Sequence, residues 1–203
     1  SKTWDVTSNN LTINEDVNTA ASGNKPLYLL DNELSRNLPT TDNSVTIDSR
    51  ATEVWEISPS IQSDLTLNAG TIRLDLAIEG NQTNNNRLTT LTISAYYNDN
   101  IGGGNQVFAS DTFPEARWDN NEFYNESLDL TLASETTIPS GSSIFLSINN
   151  TVDNNNGGNK HDVFIHRFNG SFYSQLVLDA ATVVNVASIT VWDSTYGDPT
   201  GSG

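Results

Sequence analysis

The chain has 203 residues, with 25 Asp and Glu against 9 Lys and Arg, a formal charge of −16, and neither cysteine nor methionine. That balance argues against a nucleic-acid groove, which needs clustered cations to neutralise phosphates, and disfavours binding to an anionic membrane surface. Disulfides and cysteine-ligated metals are excluded, and no apolar run nears the ~20 residues of a membrane-spanning helix.

Taken in order, residues 1–17 carry apolar Trp4, Val6, Leu11, Ile13 and Val17, followed by an Asn/Thr/Ala/Ser/Gly connection through Lys25. Short strands are predicted over Pro26–Leu30, Val45–Ile47 and Val54–Ile57. The clearest alternation is Thr71–Glu79, with Ile72, Leu74, Leu76 and Ile78 on a core face and Arg73, Asp75 and Glu79 on a face toward water. After a polar connection, Thr90–Tyr97 repeats the pattern with Leu91, Ile93, Ala95 and Tyr97 inward, and the two strands are expected to pair antiparallel. Further strands are predicted over Phe108–Phe113, Ser127–Leu132, Ser143–Ile148, Val163–Arg167, Phe172–Leu178 and Val183–Trp192, punctuated by Gly, Pro and Asn. No stretch of 10 or more residues keeps a 3.6-residue period. The expectation is an all-β, antiparallel two-sheet β-sandwich of jelly-roll or Greek-key type with about nine or ten strands. Three parts are expected: an N-terminal strand with its connection over 1–25, the sandwich over 26–196, and a disordered tail over 197–203.

Three stretches carry a resemblance: Leu27-Tyr28-Leu29-Leu30, then Trp55-Glu56-Ile57-Ser58-Pro59 running into Leu65-Thr66-Leu67-Asn68-Ala69-Gly70, and the closing Val184 to Asp193. Over roughly residues 27–196 the chain resembles jelly-roll domains of long secreted bacterial surface proteins. The resemblance implies a sandwich fold and a cell-surface setting, and brings no catalytic residues with it.

Candidate chemistry is sparse. A general acid/base pair needs two carboxylates with separated pKa values, and Asp119 with Glu122, or Glu53 with Glu56, are pairs that 25 acids supply by chance. A Ser-His-Asp site would have to use His161 or His166, and no Gly-x-Ser-x-Gly elbow accompanies them; His166 reads as a solvated or partly packed strand residue. Asp153, Asn155 and Asp162 offer oxygen ligands for Ca²⁺, but the twelfth position of an EF-hand-like loop is Phe164, and a solvated Asn/Gly turn is the competing reading. Trp118, between Pro114 and Asn120, and Tyr96, opposite Tyr97 on its strand, are candidates for an exposed platform that stacks on sugar rings. Sequons stand at Asn10, Asn81, Asn125, Asn149 and Asn169.

These features point to a non-enzymatic extracellular structural or surface protein, secreted after removal of a leader upstream of Ser1. Self-association into a filament or layer is expected, with the strand bearing Trp4, Val6, Leu11, Ile13 and Val17 completing its own sheet or filling a groove in the next copy. The alternative is a carbohydrate-binding module, with or without Ca²⁺. The partner is a second copy of the chain or a glycan, with no nucleic acid and no membrane insertion.

Overall fold

A computed structural model describes residues 2–5, 10–13, 23–81, 89–98, 104–116, 118–119, 121–152 and 161–181. Among these residues every regular element is a strand. The first six are β1 (Lys2–Asp5), β2 (Asn10–Ile13), β3 (Gly23–Leu30), β4 (Glu33–Ser35), β5 (Ser44–Ile47) and β6 (Thr52–Ile57). There follow β7 (Leu65–Leu67), β8 (Gly70–Gly80), β9 (Thr89–Asn98), β10 (Gln106–Ala116), β11 (Tyr124–Leu132) and β12 (Thr136–Ile138). The last are β13 (Ser143–Val152), β14 (Val163–His166), β15 (Phe168–Asn169), β16 (Phe172–Tyr173) and β17 (Gln175–Ala180).

Thirteen strands form one mixed sheet in the order β10-β9-β13-β6-β4-β3-β17-β8-β14-β5, with β11 on β8 and β7 joining β12 to β17. Its pairs are antiparallel except β4 with β6, where Glu33 faces Glu56 and Leu34 faces Ile57 in parallel. Leu91, Ile93, Leu146 and Ile148, toward one end of this path, share a single apolar cluster with Ile72, Leu74, Leu130 and Leu176, toward the other. Residues so far apart along the hydrogen-bonded path meet only if the sheet curves back over one core. The all-β expectation therefore holds, while the described hydrogen bonding is one continuous mixed sheet rather than two separate antiparallel ones.

Two expectations within the sheet need correction. β8 does not pair with β9: it pairs with β11 along Gly70–Ile78 and with β14 and β17 on its other side, whereas β9 lies between β10 and β13. Alternation specifies which face of a strand is buried but not its neighbour, and the connection after Gly80 carries the chain to a different region of the sheet. Nor does Asp75 face water. It is 2% exposed, set between β11 and β17, which pair with β8 on either side. Its carboxylate accepts from Arg73 Nε at 2.6 Å, Ser127 Oγ at 2.6 Å and Gln175 Nε2 at 2.9 Å, which compensates its loss of water.

At the N-terminus β1 and β2 pair with each other, Lys2 opposite Ile13 and Trp4 opposite Leu11, as a two-stranded sheet apart from the large one. Val6 and Val17 of the expected assembly strand lie outside the described residues.

Candidate functional site

The two ends of β8 carry the two concentrations of functional groups. At its C-terminal end Glu79 stands beside His166 of β14. The imidazole is 12% exposed, with Nδ1 3.2 Å from Asp42 Oδ2 and Nε2 3.0 Å from Glu79 Oε2. Glu79 Oε1 also accepts from the backbone N–H of Asn121 at 3.0 Å, and Phe123 packs edge-on against the imidazole at 4.6 Å. Next to this group the Tyr124 hydroxyl lies 3.0 Å from Glu122 Oε2 and 3.4 Å from Asp119 Oδ2. Burial, and then the hydrogen bond to Glu122, raise the Tyr124 pKa above its ordinary value. The sequence pair Asp119 and Glu122 thus converges on a phenol.

Arg167, next along the chain, pins the same loop. Its guanidinium donates to Asp31 Oδ1 at 2.7 Å and to the Thr41 carbonyl at 3.3 Å. That hydrogen bond, with the guanidinium charge, holds the Asp31 carboxyl below its ordinary range. With Asp42 on His166 and Thr41 on Arg167, the loop between β4 and β5 is fastened to β14 from both sides. Both ring nitrogens of His166 face carboxylates, and among the described residues neither is placed on a serine hydroxyl.

Trp118 corrects an expectation at this end. It is 1% exposed rather than a platform, its indole N–H 3.4 Å from Glu126 Oε1. The Trp118 carbonyl passes so close to Gly80 that a Cβ there would sit 1.9 Å from its oxygen. Pro114 and Asn120 made the segment read as an exposed turn; the missing side chain at Gly80 is what lets it press onto β8. Tyr96 lies on the outer face, half-buried and stacked on Phe145 of the neighbouring strand at 5.0 Å with an 11° interplanar angle, so one of its ring faces is already covered. Burial, and then the nearby Glu56 charge, raise its pKa.

Of the Ca²⁺ candidates, Asp153 and Asn155 lie outside the described residues. Asp162 is engaged, Oδ1 accepting from Ser49 N at 3.1 Å and Oδ2 from Asn81 Nδ2 at 3.0 Å. No group of three or more His, Asp or Glu side chains among the described residues is placed to hold a metal. The sequon residue Asn81 has both ends of its amide occupied by Asp162, and Asn125 accepts from Asn169, joining two further sequons. No helix among the described residues is long and apolar enough to cross a membrane.

At the opposite end, before β8 begins, a cavity of about 580 Å³ opens among β3, β7, β17, the start of β13 and the loop after β6, which contains the cis Ser58–Pro59 peptide. Leu27, Ile57, Ile61, Leu65, Ile144 and Leu178 make its apolar wall, and Lys25, Arg36, Gln62 and Asp64 line it as well. The sequence reading missed this site, because its walls come from five separate segments. The one local signal was Lys25, two residues before Leu27 in a strand whose next inward positions are leucines.

The fold matches solved structures of enzymes. Over 79% of its length the chain is similar to a CocE/NonD family hydrolase from Staphylococcus aureus, with TM-scores of 0.59 and 0.57 in two structures and 14% identity. Over 89% of its length it is similar to an aminopeptidase from the marine sediment archaeon Thaumarchaeota archaeon, with TM-score 0.64 and 12% identity. The chain spans 37% of the hydrolase and 40% of the aminopeptidase. At these identities the likeness is one of fold. No protein family matches the chain, and no curated protein matches it in sequence.

These neighbours correct the functional expectation. The non-enzymatic structural protein, the filament or layer subunit assembled by strand exchange, and the carbohydrate-binding alternative give way to a fold shared with hydrolases. The expectation took the missing nucleophile elbow as the mark of a non-enzyme. A β region can belong to an enzyme without carrying that motif, because function resides in sites placed on a fold and not in the fold itself.

Proposed function

We propose that the chain is a jelly-roll β-sandwich portion of a hydrolase and that it helps to hold the substrate. The observation that supports this reading is its likeness to two differently named hydrolytic enzymes, over most of this chain and over well under half of theirs. Curvature of the sheet around one core suits the jelly-roll description, and the cavity beside β7 is of a size that takes small ligands, which typically occupy roughly 300–1,000 Å³.

The test offers purified chain a panel of p-nitrophenyl acyl esters and aminoacyl p-nitroanilides, following both turnover and thermal unfolding. A ligand at a hundred times its Kd adds about 2.7 kcal/mol, which for a chain of this size raises Tm by about 5–10 °C. Hydrolysis of one substrate class, or stabilisation by it, is the expected outcome. If every compound is left intact and Tm is unmoved throughout, the reading fails.

A further inference from the structure

Lys25 is the polar residue whose position is hardest to explain by folding alone. In the pairing of β3 with β17 it stands directly opposite Leu178, as Leu27 stands opposite Leu176. Residues paired across strands share a face, and Leu27, Leu29, Leu176 and Leu178 are all buried. Lys25 therefore occupies the core-facing side of its strand, half-buried, where the cavity opens. It forms no ion pair among the described residues. Asp64, the carboxylate on the same rim, instead accepts from the Ser140 backbone N–H at 2.8 Å. Among the described residues Arg36, which also lines the cavity, makes one side-chain hydrogen bond, from Nη1 to the Pro59 carbonyl at 3.2 Å, which engages one of its five donors. Two of only nine basic residues in a chain of charge −16 thus line one largely apolar cavity.

We propose that this cavity binds an amphipathic carboxylate, its acyl chain lying among Leu27, Ile57, Ile61, Ile144 and Leu178 and its head group held by Lys25 and Arg36. The inference rests on the hydrolase reading and names the ligand class for it: a fatty acid, the carboxylate that hydrolysis of an acyl ester or amide releases. The apolar wall offers the chain dispersion contact and escape from water. An ammonium on a flexible stem and a guanidinium fork are the side chains suited to a carboxylate. A neutral or cationic head group would leave Lys25 without an anion at a partly desolvated position.

The test is calorimetric titration of the full chain with laurate, its shorter homologues, dodecanol and dodecyltrimethylammonium. Laurate is expected to bind, each methylene removed weakening it about four-fold, and the uncharged and cationic analogues to bind at least about ten-fold more weakly. Lys25→Glu and Arg36→Glu are each expected to weaken laurate about ten-fold or more, and Ile61→Trp, which fills the cavity, to abolish binding while circular dichroism confirms the fold. Absence of laurate binding at about 1 mM, or binding indifferent to Lys25→Glu, overturns the proposal. The two readings fail separately. Turnover of short esters without laurate binding would sink the cavity and keep the hydrolase, whereas laurate binding beside an inert, non-stabilising substrate panel would do the reverse.

Discussion

The two ends of β8 solve the placement of charge in opposite ways. At the Gly80 end, His166, Arg167, Asp42, Glu79 and Asp31 are tied to one another, and their bonds hold a loop against the sheet. At the Gly70 end a lysine faces inward beside leucines with no ion-pair partner among the described residues, and an apolar cavity stands open next to it. Polar groups that satisfy each other consume their own binding capacity. Charge left unsatisfied next to a cavity keeps that capacity for a ligand, so the less stabilising end is the better candidate for function.

The sharpest way to test this contrast is at the two glycines of β8. Gly80→Ala drives a methyl group into the Trp118 carbonyl and is expected to cost about 3 kcal/mol, a Tm loss of about 6–12 °C. Gly70 has φ +143 but nothing within 4 Å of a new Cβ, so Gly70→Ala meets backbone strain alone, about 1–2 kcal/mol. Equal losses at the two sites would refute the claim that one end is closely packed and the other open.

Next in size, His166→Ala strips Asp42 and Glu79 of the ring they share and is expected to lower stability by about 1–2 kcal/mol in urea unfolding. Lys25→Leu should act in the opposite direction, raising stability by about 1 kcal/mol because an apolar side chain suits an inward position, while laurate affinity falls. If Lys25→Leu destabilised the chain as His166→Ala does, Lys25 would belong to the framework.

The smallest expected effects are in pH dependence. Asp31 has a folded pKa below its ordinary value, so its contribution is present above the ordinary carboxylate range and is lost as pH falls through the folded value. Asp31→Asn should flatten the acid limb of a stability–pH curve slightly, since the carboxylate is largely exposed. Tyr124 has a raised pKa. Its contribution is present below the ordinary phenol value and is lost as pH rises through the folded one, so Tyr124→Phe should remove a late step from the alkaline absorbance titration.

Much of the strand content was legible. Thr71–Glu79, Thr90–Tyr97, Ser127–Leu132 and Ser143–Ile148 lie within β8, β9, β11 and β13, because alternation is a local consequence of the pleat and of one face meeting the core. What failed was non-local. Trp118 was placed by its polar neighbours, yet Gly80, distant in sequence, decides its burial. Asp75 was assigned to water by strand parity, yet Ser127 of β11 and Gln175 of β17 close on its carboxylate. The cavity had no contiguous signature, since Lys25, Arg36, Ile61, Ile144 and Leu178 come together only when the sheet closes.

The amino-acid sequence by itself determined that this chain forms strands and which residues of most strands turn inward, because a period of two is written in adjacent residues and needs no partner to be read. The tertiary structure alone decided which strands became neighbours, which charges found partners, and that Lys25 lines an apolar cavity with no ion-pair partner among the described residues. Those outcomes depend on contacts between segments far apart in the chain, where register and curvature of the sheet choose among pairings that the local pattern leaves equivalent.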